Sequence, residues 1–176
     1  MSASHSASEK ASLRSRLRLR RRELAVAFPD AAERATGALN LARLPPFNVV
    51  AGYEKMGSEI DPSPVLRKLA AAGALLAVPL VLRPRLPLVF RTTDGEVTPD
   101  LIIAPLLAFD RAGGRLGQGG GHYDRTIERL RASGPLFVIG LAYTGQEIDV
   151  VPHEPHDQRL DAILTEIGYS EFRKDI

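Results

Sequence analysis

The stretch "RLGQGGGHYDRTIERLRASGPLFVIGLAY", residues 115–143, decides the fold. Its first part gathers Gly117, Gly119, Gly120 and Gly121 between charged ends. "YDRTIERLRASG" then carries apolar residues at helical spacing, and "LFVIGLAY" is an apolar run without polar alternation. Upstream, "DLIIAPLLAF", residues 100–109, is a second such run. The order is strand, loop, helix, strand. Glycine is costly in regular structure, by roughly 0.5–1 kcal/mol relative to alanine. The glycines at the helix entrance therefore need a reason.

The same alternation extends outward. "SEKASLRSRLRLRRRELAVAF", residues 8–28, reads as a helix with Ser8 as N-cap and Leu13, Leu17, Leu24 and Phe28 on an apolar face. Pro29 and Asp30 break it and start a second helix, "AAERATGALNLARL", which Pro45 and Pro46 end. "NVVAGY" is a short strand, "SPVLRKLAAAG" a helix stopping at Gly73, "ALLAVPLVL" a strand, and "LPLVFR" a strand that pairs locally. "DAILTE" is the last strand. Apolar strands separated by helices predict a three-layer α/β/α sandwich around a mostly parallel, Rossmann-like sheet. Such sheets bind ligands beyond the C-terminal ends of their strands. The informative polar residues all follow strands, in Glu54–Glu59, Asp110–Asp124 and Tyr143–Gln146.

The 176 residues fit one domain, residues 10–176, preceded by a polar tail, 1–9, expected to be disordered. The absence of cysteine excludes disulfides, thiolate metal sites and a cysteine nucleophile, and fits a cytoplasmic protein. No apolar run has the length of a membrane span, and no membrane partner is expected. Net charge is +2, yet residues 1–24 alone hold seven Lys/Arg against two Asp/Glu. That basic segment reads as a solvated helix face or as an RNA contact; the lack of aromatic residues for base stacking disfavours the latter.

Successive glycines let backbone N–H groups converge on an anion, and the following helix adds its positive end. Arg115 adds charge-assisted donors. Asp124, at the helix start, is either a stabilising first-turn carboxylate or a Mg²⁺ ligand beside a polyphosphate. The pattern is neither GxxxxGK[ST] nor a Rossmann GxGxxG placed directly after its strand. By composition alone it is either a nucleotide triphosphate cradle or a flexible structural loop.

"RLGQGGGHYDR" resembles the RLG-x-G-x-G-aromatic-YDR motif of the 5-formyltetrahydrofolate cyclo-ligase (methenyltetrahydrofolate synthetase) family. "KASLR" is similar to its N-terminal K-x-x-x-R, and "YEKMGSEIDPSPVL" to its substrate loop. "PDLIIAPLLAFDRAGGRLG" and "GLAYTGQEIDVVPHEPHDQRLDAILTEIG" follow in the family's order. The resemblance runs from Lys10 to Gly168.

It implies an ATP- and Mg²⁺-dependent closure of 5-formyltetrahydrofolate to 5,10-methenyltetrahydrofolate, releasing ADP and phosphate. It further implies that Lys10 and Arg14 reach the ATP phosphates, and that Arg115, Gly117, Gly119, Gly120 and Gly121 cradle them beside His122. Asp124 binds Mg²⁺, and Tyr123 and Arg115 stand at the reacting groups. Glu59, with Glu54 and Met56, holds the folate, because a carboxylate suits the adjacent N–H donors of a pterin. A monomer acting on small molecules, without nucleic acid, is expected. Gln146 and Asp161 match family positions but suit structural roles equally. Tyr143 reads as core or rim, and His153 and His156 as loop residues rather than metal ligands.

Two departures stand out. Gln118 and His122 replace residues that are commonly aromatic or basic (118) and aromatic (122) in the family. Between Arg91 and Pro99 only "TTDGEVT" replaces a longer connection bearing a Trp, and this chain has none. These motivate an alternative, a catalytically impaired member that only binds folate or nucleotide.

Overall fold

A computed structural model describes residues 2–172. Helix α1 spans Ser2–Ala27, α2 Ala31–Ala38, α3 Ser63–Ala71 and α4 His122–Ser133. The strands are β1 Val49–Ala51, β2 Leu75–Leu80, β3 Val89–Thr92, β4 Gly95–Val97, β5 Leu101–Ala104, β6 Ala108–Phe109, β7 Arg115–Leu116, β8 Phe137–Leu141, β9 Ala162–Thr165 and β10 Gly168–Glu171. One sheet has the order β10-β9-β8-β5-β1-β2-β3-β4, and β6-β7 form a separate ribbon.

The expected mostly parallel sheet is there. The run β9-β8-β5-β1-β2 is parallel throughout, with Ala51 opposite both Ala77 and Ile102, and Ile103 opposite Ile139. Antiparallel β10 closes one edge, and β3 and β4 close the other. Side chains alternate across the strands. Val50, Leu101, Ile103, Ile139 and Leu164 face α2, α3 and the end of α1 through Ala35, Leu39, Val65, Leu69 and Leu24. Ala51, Ile102, Ala104, Val138 and Ile163 face the opposite side, against Ile127 and Leu130 of α4. Burial on both faces explains why these strands show no polar alternation.

Several local expectations are corrected. Helical backbone of α1 begins at Ser2, upstream of Ser8, so Ser8 is not its N-cap; Met1 lies outside the described residues. The second helix stops at Ala38, and Leu41–Arg43 form a separate 3-10 turn in which Asn40 Oδ1 accepts from Ala42 N at 3.0 Å. An asparagine that bonds the backbone two residues on competes with the helix ladder there. The short "TTDGEVT" connection is itself structured. It turns β3 into β4 through Gly95 at φ +133 and extends the sheet edge.

Candidate active site

Tyr53–Glu59 follow β1, Val81–Leu88 follow β2, and Pro105–Leu106 follow β5, so three loops leave the same rim of the sheet. The first turns of α4 and the inward face of α1 meet them there. Together they enclose a cavity of about 630 Å³. Every residue expected at the site lines this cavity: Lys10, Arg14, Glu54, Met56, Glu59, Arg115, the four glycines, His122, Tyr123 and Asp124.

The glycine wall is shaped by backbone angles that alanine resists. Gly119 has φ +103 and Gly121 has φ +66, the latter forming the N-cap of α4. A Cβ on Gly119 would stand 3.3 Å from Arg14 Cζ. Arg14 Nε in turn donates to Gly117 O at 3.0 Å, and Arg18 Nε donates to Gln118 Oε1 at 2.9 Å. The basic helix thus leans on the glycine turn, and Gln118 has a defined partner. His122 Nδ1 lies 2.8 Å from Leu86 O, which joins the start of α4 to the loop after β2.

Arg115 is fixed at the floor. Its Nη2 donates to Asp124 Oδ1 at 2.9 Å, and its side chain is 3% exposed. Its guanidinium lies 5.6 Å from the Tyr123 ring centroid. Its Nε is buried and has no hydrogen-bond partner among the described residues. Asp124 Oδ1 also accepts from Gln158 N at 3.0 Å, bringing the loop after Val151 beside α4. Burial pushes the Tyr123 phenol well above its ordinary range, with Arg115 opposing, so the ring stays neutral.

Lys10 is buried and donates from Nζ to Glu154 Oε2 at 2.9 Å and to Asp157 Oδ2 at 3.2 Å. Burial lowers its pKa, but these hydrogen bonds outweigh that, and the net shift is upward from 10.5. Glu154, His156 and Asp157 bring ligand atoms within 4.8 Å of one another. His156, expected as a loop residue, thus stands beside the two carboxylates of its own loop, and both carboxylates are bonded to Lys10.

On the opposite wall Glu59 is 6% exposed. Its Oε2 accepts from Met56 N at 2.9 Å, while Oε1 lies 3.5 Å from Arg21 Nη1. Arg21 went unnoticed in the sequence, although Lys10, Arg14 and Arg21 share a helix face at spacings of four and seven. Glu54 and Met56 are exposed at the mouth.

The remaining candidates are architectural. Gln146 Nε2 donates to Leu106 O and Leu107 O, and its Oε1 accepts from Tyr143 N. Asp161 Oδ2 accepts from Val138 N and from Arg131 Nη2. Tyr143 is in the core, and His153 is exposed outside the carboxylate cluster. Asp110, which opens the polar segment 110–124, has a structural role that the sequence did not specify. It is buried and accepts from Ala112 N, Gly114 N and Val151 N, so it shapes the approach to the glycine turn.

Residues 82–166 match the model of the 5-formyltetrahydrofolate cyclo-ligase family. The 5-formyltetrahydrofolate cyclo-ligase of Mycolicibacterium smegmatis is 40% identical over 94 residues, 53% of this chain and 46% of that protein. The match thus spans about half of that relative's length. The Escherichia coli protein of the same name is 29% identical over 142 residues, 67% of this chain and 78% of that one. Among solved structures, a 5,10-methenyltetrahydrofolate synthetase from Mycoplasma pneumoniae superposes with TM-score 0.77 at 24% identity, covering 89% of this chain and 98% of that one. The Aquifex aeolicus synthetase superposes with TM-score 0.75 at 24% identity, covering 95% and 94%. Those two structures share the fold, and the matched segment carries the glycine turn, Asp124 and the Glu154–Asp157 loop. Fold, sequence and motif order thus agree in making the chain similar to 5-formyltetrahydrofolate cyclo-ligases, with residues 82–166 matched by that family's model.

Proposed function

We propose that the chain catalyses the ATP- and Mg²⁺-dependent conversion of 5-formyltetrahydrofolate to 5,10-methenyltetrahydrofolate, with release of ADP and phosphate. The observation that carries this is a single cavity with an anion cradle on one wall and a buried carboxylate on the other. The cradle suits a triphosphate. Backbone at positive φ and the N-terminus of α4 supply N–H donors, and Arg14 and Arg115 supply charge. Arg115 Nε, buried and without a hydrogen-bond partner among the described residues, is a donor that a phosphate oxygen would satisfy once the turn adjusts around it.

Glu59 takes the folate. Two parallel N–H donors of a pterin match one carboxylate, as a guanidinium does. Glu54 and Met56 would flank the entering ligand at the mouth. Tyr123, between Arg115 and the folate wall, is neutral and packs where the two substrates meet.

A formamide carbonyl is a poor electrophile, and its oxygen is a poor leaving group. Transfer of the γ-phosphoryl from ATP to the formyl oxygen breaks the β–γ bridge and leaves ADP. N10 then attacks the formyl carbon, its proton is lost, and phosphate departs with the former formyl oxygen. The protein contributes alignment and charge neutralisation. Arg115 and Lys10 oppose the charge gathering on the transferred group.

Mg²⁺ fits the donor chemistry of Asp124, whose two hydrogen bonds both fall on Oδ1, with hard oxygen donors from Glu154 and Asp157 in the adjoining loop. When bound it supplies charge neutralisation of the polyphosphate. We place the protein in the cytoplasm as a monomer. No described helix is long and apolar enough to cross a membrane.

The test is oxygen tracing. 5-Formyltetrahydrofolate labelled with ¹⁸O in the formyl group is incubated with the protein, ATP and Mg²⁺. Labelled inorganic phosphate is expected. Methenyl product with unlabelled phosphate would refute the transfer step, and no product would refute the function.

A further inference from the structure

We infer that Arg21 is a positioning residue that sets the geometry of the folate-binding carboxylate Glu59; this rests on the functional reading above. Arg21 lies on α1, outside every motif that carries the resemblance. Its side chain is 6% exposed, and that of Glu59 is 7% exposed. Both line the cavity.

One guanidinium ties three segments together. Nε donates to Ser58 Oγ at 3.1 Å, and Nη1 donates to Leu106 O at 3.1 Å and approaches Glu59 Oε1 at 3.5 Å. Leu106 O is itself held by Gln146 Nε2 at 2.9 Å. Arg21 is therefore braced from the end of β5 while it holds the loop after β1. The other carboxylate oxygen, Oε2, accepts from Met56 N at 2.9 Å, and Glu59 N donates back to Met56 O at 3.3 Å.

Each carboxylate oxygen thus has one anchor. A carboxylate offers about four acceptor positions, so two remain for a ligand in a plane already fixed. A carboxylate this deep needs a compensating charge, and the guanidinium provides it from the protein side. Pterin N–H donors can then approach from the cavity without displacing a protein bond. The forked, planar head also fixes the rotation of Glu59, which a lysine would not.

The two substrates have separate walls of the cavity. Arg21 acts on the folate wall, whereas the glycine turn, Arg14 and Arg115 form the nucleotide wall. Hydrogen bonds to charged groups are worth about 1.5–3 kcal/mol, which corresponds to roughly 10- to 150-fold in affinity. Arg21→Met and Arg21→Lys should both weaken 5-formyltetrahydrofolate by about that factor and leave the KM for ATP within about twofold. In Glu59→Gln, adding Arg21→Met should cost much less than it does in the parent, because the two residues act as a unit.

The experiment measures calorimetric affinity for 5-formyltetrahydrofolate alone and steady-state KM for each substrate, in the parent, Arg21→Lys, Arg21→Met, Glu59→Gln and the Arg21→Met/Glu59→Gln double variant. Circular dichroism establishes folding, and Arg21→Lys serves where Arg21→Met does not fold. Selective, non-additive loss of folate affinity supports the inference. Equal loss for both substrates, or additive losses, would show a merely structural arginine and overturn it. A parent that binds folate with an Arg21 variant that binds it equally overturns the inference alone. A parent that binds no folate overturns the functional reading and this inference with it.

Discussion

Gly119→Ala puts the glycine turn to a quantitative test. Gly119 sits at φ +103, where an L-residue is strained, and forcing a side chain there costs on the order of 1–3 kcal/mol. The new Cβ would also stand 3.3 Å from Arg14 Cζ and 3.4 Å from its Nε, the atom that bonds Gly117 O. The turn has two responses. It can hold its shape, and the strain then lowers the melting temperature by about 2–4 °C per kcal/mol for a chain of this size. Otherwise it relaxes, Arg14 is displaced, and ATP affinity falls by roughly 5- to 150-fold. Gly134→Ala is the control. Gly134 has φ 167, an extended angle open to any residue, and a Cβ there meets nothing within 4 Å. Thermal denaturation and calorimetric ATP titration of both variants read the two responses. If Gly119→Ala matches the parent in both while Gly134→Ala does too, the argument for a backbone-shaped phosphate cradle is refuted.

Two further outcomes follow from the loops around the cavity. Asp110→Ala should destabilise the fold by about 3–5 kcal/mol, because the N–H groups of Ala112, Gly114 and Val151 lose their acceptor; urea denaturation checks this. The Lys10–Glu154 contact should be insensitive to pH across the neutral range. Hydrogen bonding to Lys10 lowers Glu154 from 4.5, so its contribution is present above that value and is lost as pH falls through the folded pKa. Lys10 is raised from 10.5, so its contribution holds below that value and is lost only as pH rises through the folded pKa. Carboxyl ¹³C titration by NMR should accordingly show Glu154 moving back toward 4.5 in Lys10→Met, and an unmoved Glu154 would contradict the pairing.

What was legible in the sequence was whatever is contiguous. The runs around Ile103, Ile139 and Leu164 announced buried parallel strands because both sheet faces are covered. The glycine turn with Arg115 and Asp124 is a single segment, and its residues do share one wall. Short antiparallel pieces such as β4, the β6-β7 ribbon and β10 carry too few residues for a period to emerge. The couplings within the site were hidden for a different reason. Lys10 meets Glu154 and Asp157 across more than 140 residues, and Arg21 meets Glu59 across 38. Only the topology of the sheet rim brings them together. The arginines of α1 looked like a solvated face because charge alone does not reveal direction, yet Arg14 and Arg21 turn inward.

Turnover at this cavity is the most direct test of the proposed reaction. The protein is mixed with 5-formyltetrahydrofolate, ATP and Mg²⁺, and the near-ultraviolet absorbance of the methenyl product is followed beside a sample without ATP and an Asp124→Ala variant. The expected result is an ATP-dependent rise that the Asp124 substitution abolishes while the variant remains folded. A flat trace from folded parent protein, or an undiminished rise in Asp124→Ala, would contradict it.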